Sequence, residues 1–427
     1  MKKIAIIGGG PGAIGAAYEL SKTGHAVTIF ERSGKIGGLA ACTTIGGVPL
    51  ESFYHHLFPT YADFFAAAQE IGVADKIFFV KAKTANYYGG KLYPFSSGLD
   101  LLRFSPLPFV ERIKTAWWIA YLKFLKRRWQ DFEYTYAKEW LPKHFGKIAY
   151  RVIWEPLLVS KFGRAADTIG MAWMWGKIYE RPSKFGYFIG GFETWFSAMQ
   201  KHLEKRGVVF DLNAEITDLR KSGDSFVIQR PAGEESFDAV IVAAPPATLA
   251  RVGSKLLPPS YIEHLKEYRY VGVICNVLVL RHKLSKFYWT NIQELESPFV
   301  VIVEQTNFVP ENTYGGLHPV YLSRYIDTDE PLYKAPKEEV EKIFREKLKQ
   351  IHPEFQESWI VESHVFRAPY AQHIVPVGYA SMLPAYTTPV KNLWWVSMSH
   401  VYPLDRGTNH SFVEGKKLVH EMLKTIS

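Results

Sequence analysis

The chain has few cysteines, no long apolar run and no secretory leader pattern, and each of these absences excludes a class of protein. Two cysteines, Cys42 and Cys275, are too few for a disulfide framework or a cysteine-based metal site. No run of about 18 uninterrupted apolar residues is present, so we expect no transmembrane helix. Lys2 and Lys3 precede an apolar stretch that soon reaches a glycine run and is too short for a signal peptide. We therefore expect a cytoplasmic protein.

Motifs for hydrolysis, metal binding and nucleic-acid binding are also missing. There is no serine nucleophile elbow and no His-Glu-x-x-His, and the 14 histidines show no ligand spacing, so we predict no metal site. The net charge of +9 is not accompanied by a recognisable nucleic-acid-binding module, so nucleic acid is not expected as a partner. The 47% hydrophobic and 22% charged residues are typical of a globular protein.

The N-terminal residues predict a dinucleotide-binding βαβ unit. An apolar strand, Lys3–Ile7, leads into a glycine-rich turn, a helix over 13–22 and a second strand that ends at Glu31. The predicted cofactor-binding residues of the turn are Gly8, Gly10, Pro11, Gly12 and Ala13. Such a turn lets a pyrophosphate approach the backbone at the positive end of the helix, while Glu31 would accept hydrogen bonds from ribose hydroxyls.

The residues after the second strand extend this pattern. Glu31-Arg32 is followed by Gly37-Gly38-Leu39, an arrangement that resembles a large flavoprotein superfamily. The superfamily contains amine oxidases, protoporphyrinogen oxidases, phytoene desaturases and, more distantly, UDP-galactopyranose mutases. The resemblance implies FAD as the cofactor and assigns Arg32 to its binding. It also implies that Gly37, Gly38 and Leu39 follow the pyrophosphate and ribityl chain.

Later segments resemble the same superfamily. Gly190-Gly191, the helix after it and two strands that we predict over 208–212 and 215–220 resemble the second visit of the chain to the FAD domain. The resemblance implies that backbone groups near Ile216 hold the adenine.

The C-terminal segment departs from the superfamily at one point. Many members have Gly-Asp after the last strand, whereas this chain has Ser397-Met398, so a carboxylate contact is missing. We count Met398 among the cofactor-binding residues. The resemblance also assigns Gly407, Thr408 and Asn409, at a helix start, to the flavin, where backbone amides could stabilise negative charge.

The order of strands and helices predicts an α/β protein with two interleaved domains. A Rossmann-like FAD-binding domain covers 1–80, 190–255 and 386–427. The substrate domain covers 81–189 and 256–385, and we expect an α+β unit with a mixed sheet and a helical cap.

Candidates for the active face follow an acidic residue, as in many relatives. Glu51 precedes Tyr54, His55 and His56, but Phe53 takes the usual glycine position. Under one hypothesis, His55 or His56 faces the flavin ring and binds substrate or moves a proton near neutral pH. Under the other, both histidines are bonded to backbone in a packed loop. Tyr54 is a candidate for substrate contact.

Four cationic residues are candidates for binding an anionic head group such as phosphate or carboxylate: Lys161, Arg164, Arg181 and Arg406. Arg406 is also a catalytic candidate. Taken alone, each such residue is more often part of a surface or structural ion pair.

A helix over 108–128 has an apolar side and a basic side. The apolar side carries Val110, Ile113, Trp117, Ala120, Tyr121 and Phe124. The helix could lie on a membrane surface with its cations toward anionic lipid. Alternatively, its apolar side packs into the core and its basic side faces solvent.

These features predict an FAD-dependent oxidoreductase that oxidises or desaturates a hydrophobic substrate, with or without an anionic group. The candidate classes are a lipid, an isoprenoid, a tetrapyrrole and an envelope-glycan precursor. No separate NAD(P)H motif is visible, which favours oxygen or a quinone as electron acceptor. One alternative is a mutase that uses reduced flavin on a sugar nucleotide without net redox change. Another is a flavin-bound partner without enzymatic activity in an envelope assembly.

Overall fold

The computed structural model describes residues 1–230 and 233–425, which form nineteen strands and fourteen α-helices. The strands, in chain order, are β1 (Lys3–Ile7), β2 (Ala26–Glu31), β3 (Cys42–Ile45), β4 (Val48–Glu51), β5 (Ile77–Val80), β6 (Thr84–Tyr88), β7 (Lys91–Pro94), β8 (Phe185–Phe188), β9 (Val209–Leu212), β10 (Asp218–Ser222), β11 (Ser225–Arg230), β12 (Gly233–Phe237), β13 (Ala239–Ala243), β14 (Tyr270–Leu280), β15 (Trp289–Ile292), β16 (Val301–Glu304), β17 (His318–Ile326), β18 (Ile360–His373) and β19 (Leu393–Val396).

The α-helices, in chain order, are α1 (Pro11–Leu20), α2 (Ala62–Glu70), α3 (Gly98–Arg103), α4 (Phe109–Ala120), α5 (Ala137–Phe145), α6 (Lys147–Ala149), α7 (Glu155–Phe162), α8 (Met171–Glu180), α9 (Phe192–Lys205), α10 (Pro246–Val252), α11 (Pro259–Leu265), α12 (Pro331–Lys334), α13 (Lys337–Ile351) and α14 (Thr408–Met422). Two π-helical turns continue this helical set, Tyr121–Leu125 after α4 and Tyr150–Trp154 between α6 and α7.

Five parallel strands form the first sheet, in the order β19-β13-β1-β2-β9. Its strands are apolar on both faces because both faces are covered, as parallel sheets require. Helices α1 and α14 pack on one face, and the antiparallel sheet β10-β11-β12 packs with α10 on the other. The two helices approach closely at Gly415, where a Cβ atom would lie 2.0 Å from the carbonyl oxygen of Gly12.

A second sheet has seven strands in the order β18-β14-β17-β16-β15-β6-β7. It is mixed, since β15 and β6 run parallel while its other pairs are antiparallel. Helix α13 covers one face of this sheet, and α3 to α8 contribute to a separate helical core. The predicted fold class, a Rossmann-like domain with an interleaved α+β domain and a helical cap, is confirmed. The exact domain boundaries stay predictions.

The strand predicted over 215–220 is shifted in the structure. It begins only at Asp218, so Ile216 lies in an irregular segment before β10. The N–H of Ala214 donates to the carbonyl oxygen of Glu31 at 2.9 Å. This bond ties the segment to the end of β2, which is why it does not join the antiparallel ladder.

The helix predicted over 108–128 ends earlier, and most of its predicted apolar stripe faces away from the core. It comprises α4 and the π turn Tyr121–Leu125, and four residues of the stripe, Val110, Ile113, Trp117 and Phe124, are exposed, while Tyr121 packs against the helical core. The alternative in which the stripe packs into the core is therefore wrong for these four residues. Among the described residues, no helix combines the length and the apolar composition needed to cross a bilayer.

Candidate functional site

The glycine-rich turn after β1 is too crowded for side chains at two positions. Gly8 has φ of +111°, and a Cβ atom there would lie 2.5 Å from the carbonyl oxygen of Ala243. At Gly9, a Cβ atom would lie 2.9 Å from Oε2 of Glu31. The N–H of Gly8 donates to the carbonyl oxygen of Phe30 at 2.8 Å. The turn is thus held where β1, β2 and β13 end, and it opens onto the start of α1.

Glu31 stabilises this turn by hydrogen bonds in addition to its predicted contact with the ribose of the cofactor. Its carboxylate accepts the N–H of Gly9 at 2.7 Å, and both the N–H and the hydroxyl of Ser33 at 2.8 Å. A carboxylate has about four lone-pair positions, so about one remains for a ribose hydroxyl. The sequence assigned Glu31 to the ribose alone, whereas the structure adds a bond that shapes the glycine turn.

The Gly37-Gly38 segment packs directly on the same turn. The N–H of Gly37 donates to the carbonyl oxygen of Gly9 at 2.8 Å. A Cβ atom on Gly38 would lie 3.2 Å from Cα of Gly10. Leu39, the next residue, packs against Val273 and Ala368 of the mixed sheet. Two motifs that are far apart in the printed sequence therefore form one backbone cradle at the junction of the two domains.

The C-terminal helix completes this cradle. A Cβ atom on Gly12 would lie 3.4 Å from the carbonyl oxygen of Ser411, so the first turns of α1 and α14 lie side by side. Among the residues that the structure describes, no side chain caps either helix. Thr408 and Asn409 are buried, and Oδ1 of Asn409 has no hydrogen-bond partner within the described chain. Two uncapped helix N-termini present unpaired N–H groups and partial positive charge, which fits a pyrophosphate and a reduced flavin.

The remaining predicted cofactor residues surround the cradle. Ile216 is tied beside Glu31 through Ala214, and its carbonyl oxygen accepts a hydrogen bond from Arg251 at 3.4 Å. Arg32 is exposed directly after β2, and Met398 opens a 3₁₀ turn directly after β19. All of these positions follow the carboxyl ends of parallel strands, where doubly wound sheets bind their ligands.

The acidic residue before the histidines has a structural role that the sequence does not reveal. Glu51 is buried, and its carboxylate accepts the N–H of Phe192 at 2.7 Å together with the hydroxyl of Tyr187. Phe192 is the first residue of α9, so Glu51 caps that helix at its positive end. Burial raises the pKa of Glu51, and these hydrogen bonds oppose the shift. Glu51 thus fixes the start of the segment that carries His55 and His56.

His55 is held by backbone and is neutral at physiological pH. Its Nδ1 lies 2.6 Å from the carbonyl oxygen of Phe53, which makes Nδ1 the protonated donor and leaves the lone pair of Nε2 free. Burial and the charge of Arg406 lower the pKa of His55 to about 4. This contact matches the packed-loop hypothesis. The low pKa argues against proton transfer by His55 near neutral pH.

His56 lies in an aromatic cage. Its ring centroid is 4.5 Å from that of Phe185 and 5.4 Å from that of Phe58, and its Nδ1 has no hydrogen-bond partner in the described chain. Burial and the charge of Arg181 lower the pKa of His56 to about 3. His56 is therefore neutral too, and titration near neutral pH is not expected from either histidine.

Cations cluster beside these residues around one carboxylate. Oδ2 of Asp405 accepts from Nζ of Lys161 at 2.6 Å and from Nζ of Lys177 at 2.7 Å, while Oδ1 accepts the N–H of Arg406 at 3.0 Å. Burial would raise the pKa of Asp405, but the three cations hold it well below its usual range. Burial in turn lowers the pKa of Lys161 and Lys177.

We infer a cavity against this cluster. Tyr54, His55 and Arg406 are half-buried and Arg181 is exposed, yet burial raises the pKa of Tyr54 and lowers those of His55 and Arg181, a combination expected of groups that line a space inside the fold. The guanidinium of Arg406 donates to the hydroxyl of Tyr325, and its Nε has no partner within the described residues. The lining thus combines aromatic rings with cationic groups that still have donors to offer.

Arg181 and Arg164 have opposite surroundings. Within 1–230 and 233–425, no carboxylate lies within ion-pair distance of Arg181, whose guanidinium stacks 5.8 Å from the ring of Phe185. Arg164 is instead largely exposed and bonded to Asp327 and Asp329. It lines an open cleft of about 550 Å³ rather than the cavity. Its charge is already matched, so we leave it out of the site.

Three residues of the cluster were not predicted: Lys177, Asp405 and Tyr325. Lys177 did carry a signal, since it is the only charged residue in the apolar run before Glu180 on α8. Asp405 lay in a segment that had been singled out, but nothing in the sequence indicated which cations it would meet. Tyr325 is one aromatic residue among many in a buried strand and had no distinguishing pattern.

Comparisons with known proteins agree with this arrangement. The profile of the family described as flavin containing amine oxidoreductase matches residues 14–403. Mitochondrial protoporphyrinogen oxidase of Nicotiana tabacum is 22% identical over 294 residues, which cover 57% of this chain and 58% of that protein. The match therefore spans little more than half the length of that relative.

Solved structures share the whole fold at low identity. An oxidoreductase from Methanosarcina mazei has a TM-score of 0.77 and 17% identity, covering 98% of this chain and 100% of that one. Reduced UDP-galactopyranose mutase has a TM-score of 0.78 and 15% identity, covering 100% of this chain and 96% of that one. At these identities the likeness concerns the fold alone. The family profile decides the assignment: the chain belongs to the flavin containing amine oxidoreductase family of FAD-dependent enzymes, and its cofactor is FAD.

Proposed function

We propose that this protein uses FAD to oxidise or desaturate a hydrophobic substrate that carries an anionic group. The observation behind this proposal is the charge of the cavity wall. The region contains four cations, Lys161, Lys177, Arg181 and Arg406, and two carboxylates, Asp405 and Glu180. Two positive charges therefore remain in excess. Such an excess in an enclosed space favours an anionic ligand.

Different residues of the cavity would bind different parts of the substrate. The guanidinium of Arg181 has no carboxylate partner in the described chain and is available to bind the anionic group of the substrate. Aromatic rings at Tyr54, Trp289 and Tyr325 would pack against its apolar part and exclude water. The neutral His55 offers the lone pair of Nε2 as a hydrogen-bond acceptor.

Arg406 precedes the start of α14 by two residues. The flavin supplies the acceptor for the hydride equivalent. The backbone N–H of Arg406 donates to Asp405, its Nε has no partner in the described part of the chain, and the amides of Thr408 and Asn409 lie at the start of α14. We propose that these groups stabilise negative charge on the reduced ring, with oxygen or a quinone as the final acceptor.

The first test is a visible spectrum of the purified protein, followed by anaerobic titration of the bound flavin with lipid, isoprenoid and tetrapyrrole candidates. Bleaching by an anionic apolar compound supports the proposal. In Arg181→Met, KM for that compound should rise tenfold or more, while KM for its neutral ester should change little. Lys201→Met, an exposed lysine of α9, is the control. Flavin that dithionite reduces but no candidate reduces would count against the oxidase reaction.

A mutase reaction is the second candidate, and two observations favour it. The cationic excess would also suit the diphosphate of a sugar nucleotide, and the chain shares the fold of reduced UDP-galactopyranose mutase at a TM-score of 0.78. The distinguishing experiment incubates dithionite-reduced and oxidised protein with UDP-galactopyranose. Isomer formed only by the reduced protein, with no net electron transfer, would replace the oxidase proposal.

A further inference from the structure

Six large apolar side chains on α4 and its π turn point away from the protein. They are Phe109, Val110, Ile113, Trp117, Phe124 and Leu125, each between 49% and 64% exposed. The four-residue steps from Phe109 to Ile113 and Trp117 place these three on one stripe of the helix. We call the surface formed by these six residues the α4 face.

Helix α3 extends the α4 face. The guanidinium of Arg112 donates to the carbonyl oxygens of Leu102 at 3.0 Å and Leu107 at 2.7 Å, which ties the end of α3 to the first turn of α4. Leu99 and Leu102 of α3 are exposed as well. The apolar surface therefore continues across two helices, unlike the single exposed residues that are ordinary on a protein surface.

The opposite side of α4 already packs against the helical core. Thr115 and Leu122 are buried, and Trp118 and Ile119 pack against the core formed by the surrounding helices. The helix is thus apolar on two sides, while the described chain covers only one of them. A helix with this pattern is expected to meet a second apolar environment.

The charge along α4 and its π turn is mostly positive. The only carboxylate between Phe109 and Leu125 is Glu111, and it turns inward, where its Oε2 accepts the N–H of Ala149 at 2.6 Å. Exposed cations border the stripe at Arg103, Lys114, Arg127 and Arg128. Asp131, the nearest acid after the π turn, is bonded to Lys126 and also lies 3.7 Å from Nε of Arg128, so Arg103, Lys114 and Arg127 carry most of the unbalanced charge. The surface therefore combines large apolar residues with a positive rim.

We propose that the α4 face docks on an anionic lipid bilayer, with α4 lying in the plane of the interface. Its apolar side chains enter the acyl region and its lysines and arginines meet lipid phosphates, the arrangement of interfacial amphipathic helices. A second copy of the chain is a poorer occupant. A two-fold contact would bring the same cations of both copies together, and Glu111 is turned away from the surface.

The α4 face also lies one helix away from the cavity. Nζ of Lys123, in the π turn, donates to the carbonyl oxygen of Arg181, whose guanidinium lines the cavity. Helix α8, which supplies Lys177, packs beside the same turn. If the substrate is lipophilic, which rests on the proposed function, docking would bring the cavity close to the membrane that holds it. Docking itself does not depend on that reaction.

Vesicle flotation of the FAD-loaded protein tests the proposal without any turnover. We expect binding to vesicles of 70% phosphatidylcholine and 30% phosphatidylglycerol, at least tenfold weaker binding to pure phosphatidylcholine, and loss of binding at high salt. Trp117→Ser with Phe124→Ser should reduce binding tenfold or more, while Leu295→Ser, an exposed leucine elsewhere, should not. Lys114→Glu with Arg127→Glu should abolish the lipid preference, whereas Lys342→Glu with Lys349→Glu on α13 should leave it unchanged.

A site-specific probe shows whether the α4 face itself enters the lipid. Both native cysteines are buried, so a dye that is sensitive to polarity will label Ile113→Cys or Leu295→Cys selectively. We expect a blue shift on anionic vesicles at position 113 and none at 295. Equal binding to neutral vesicles, no binding to either, or a dimer in solution that Trp117→Ser dissociates would each overturn the proposal.

Discussion

Oδ2 of Asp405 lies 2.6 Å from Nζ of Lys161, and this contact joins the loop before α14 to the end of α7. The same oxygen accepts from Lys177 on α8. One carboxylate therefore holds two helices of the cap against the segment that leads to the flavin. The negative charge of Asp405 balances the positive charges of Lys161 and Lys177 at this junction.

Asp405→Asn should destabilise the protein by about 3–5 kcal/mol, because it leaves buried ammonium groups without a counter-charge. The cations depress the folded-state pKa of Asp405. Its contribution is therefore present above the unfolded pKa of about 4 and declines as pH falls toward the folded value. Urea unfolding from pH 6 down to 3 should show this decline in the native protein and not in Asp405→Asn. Glu263→Gln, which breaks an exposed pair with Lys266, should change stability far less.

The stability that depends on Glu51 should vary with pH in the opposite direction to that of Asp405, and Glu51→Gln should remove this variation. Burial raises the folded pKa of Glu51, so its contribution is greatest below the unfolded pKa and is lost as pH rises through the folded value. As pH rises from the unfolded pKa of Glu51 to its folded pKa, the free energy of unfolding of the native protein should fall relative to that of Glu51→Gln. At low pH the variant should be less stable by about 1–2 kcal/mol, because the amide reproduces only part of the bonding to Phe192 and Tyr187. Equal slopes for both proteins would contradict this assignment.

Gly415→Ala should separate α1 from α14 and release FAD. A Cβ atom at 415 would lie 2.0 Å from the carbonyl oxygen of Gly12, and backbone cannot move aside as a flexible side chain can. We expect a loss of about 1–3 kcal/mol in stability and incomplete flavin loading, measured by thermal unfolding and by the ratio of visible to ultraviolet absorbance. Gly98→Ala, where a Cβ atom meets nothing within 4 Å, is the matched control.

Glu31→Ala should weaken FAD binding by about 1–3 kcal/mol, since it removes a charge-assisted acceptor for the ribose and the bond to the N–H of Gly9. Isothermal titration of the apoprotein with FAD measures the change. Ser33→Ala removes the hydroxyl that is shared between this carboxylate and the carbonyl oxygen of Lys35, keeps the carboxylate itself, and should have a smaller effect. Unchanged affinity in Glu31→Ala would remove this residue from the cofactor site.

Arg406→Met should lower the midpoint potential of the bound flavin by about 30 mV or more, because a nearby cation favours the reduced anion. Spectroelectrochemistry measures this without any substrate. Arg164→Met removes an exposed arginine whose charge is matched by Asp327 and Asp329, and it should leave the potential unchanged. A shift of equal size in both variants would indicate a general change of field rather than a local contact.

Local features were predictable where neighbours in the sequence are neighbours in space. The turn at Gly8 and the strand that ends at Glu31 depend on nearby residues, and their patterns located them within a few positions. The prediction of a strand over 215–220 was wrong at its start, because a bond from Ala214 to the end of β2 overrides local preference. The apolar stripe of α4 was recognised, but periodicity alone cannot say whether such a stripe faces the core.

The sequence by itself determined the dinucleotide turn, the FAD family resemblance and the α/β fold class, because glycine spacing and strand patterning act over short distances. Only the tertiary structure decided which charges meet. Lys161, Lys177 and Asp405 come from three separate segments, and their contact depends on the packing of α7, α8 and the loop before α14. It likewise decided that Glu51 caps a helix far along the chain and that the α4 face is exposed. Electrostatic partners and exposure are properties of the packed chain, since Coulomb energy and burial depend on distance in space and not on separation in sequence.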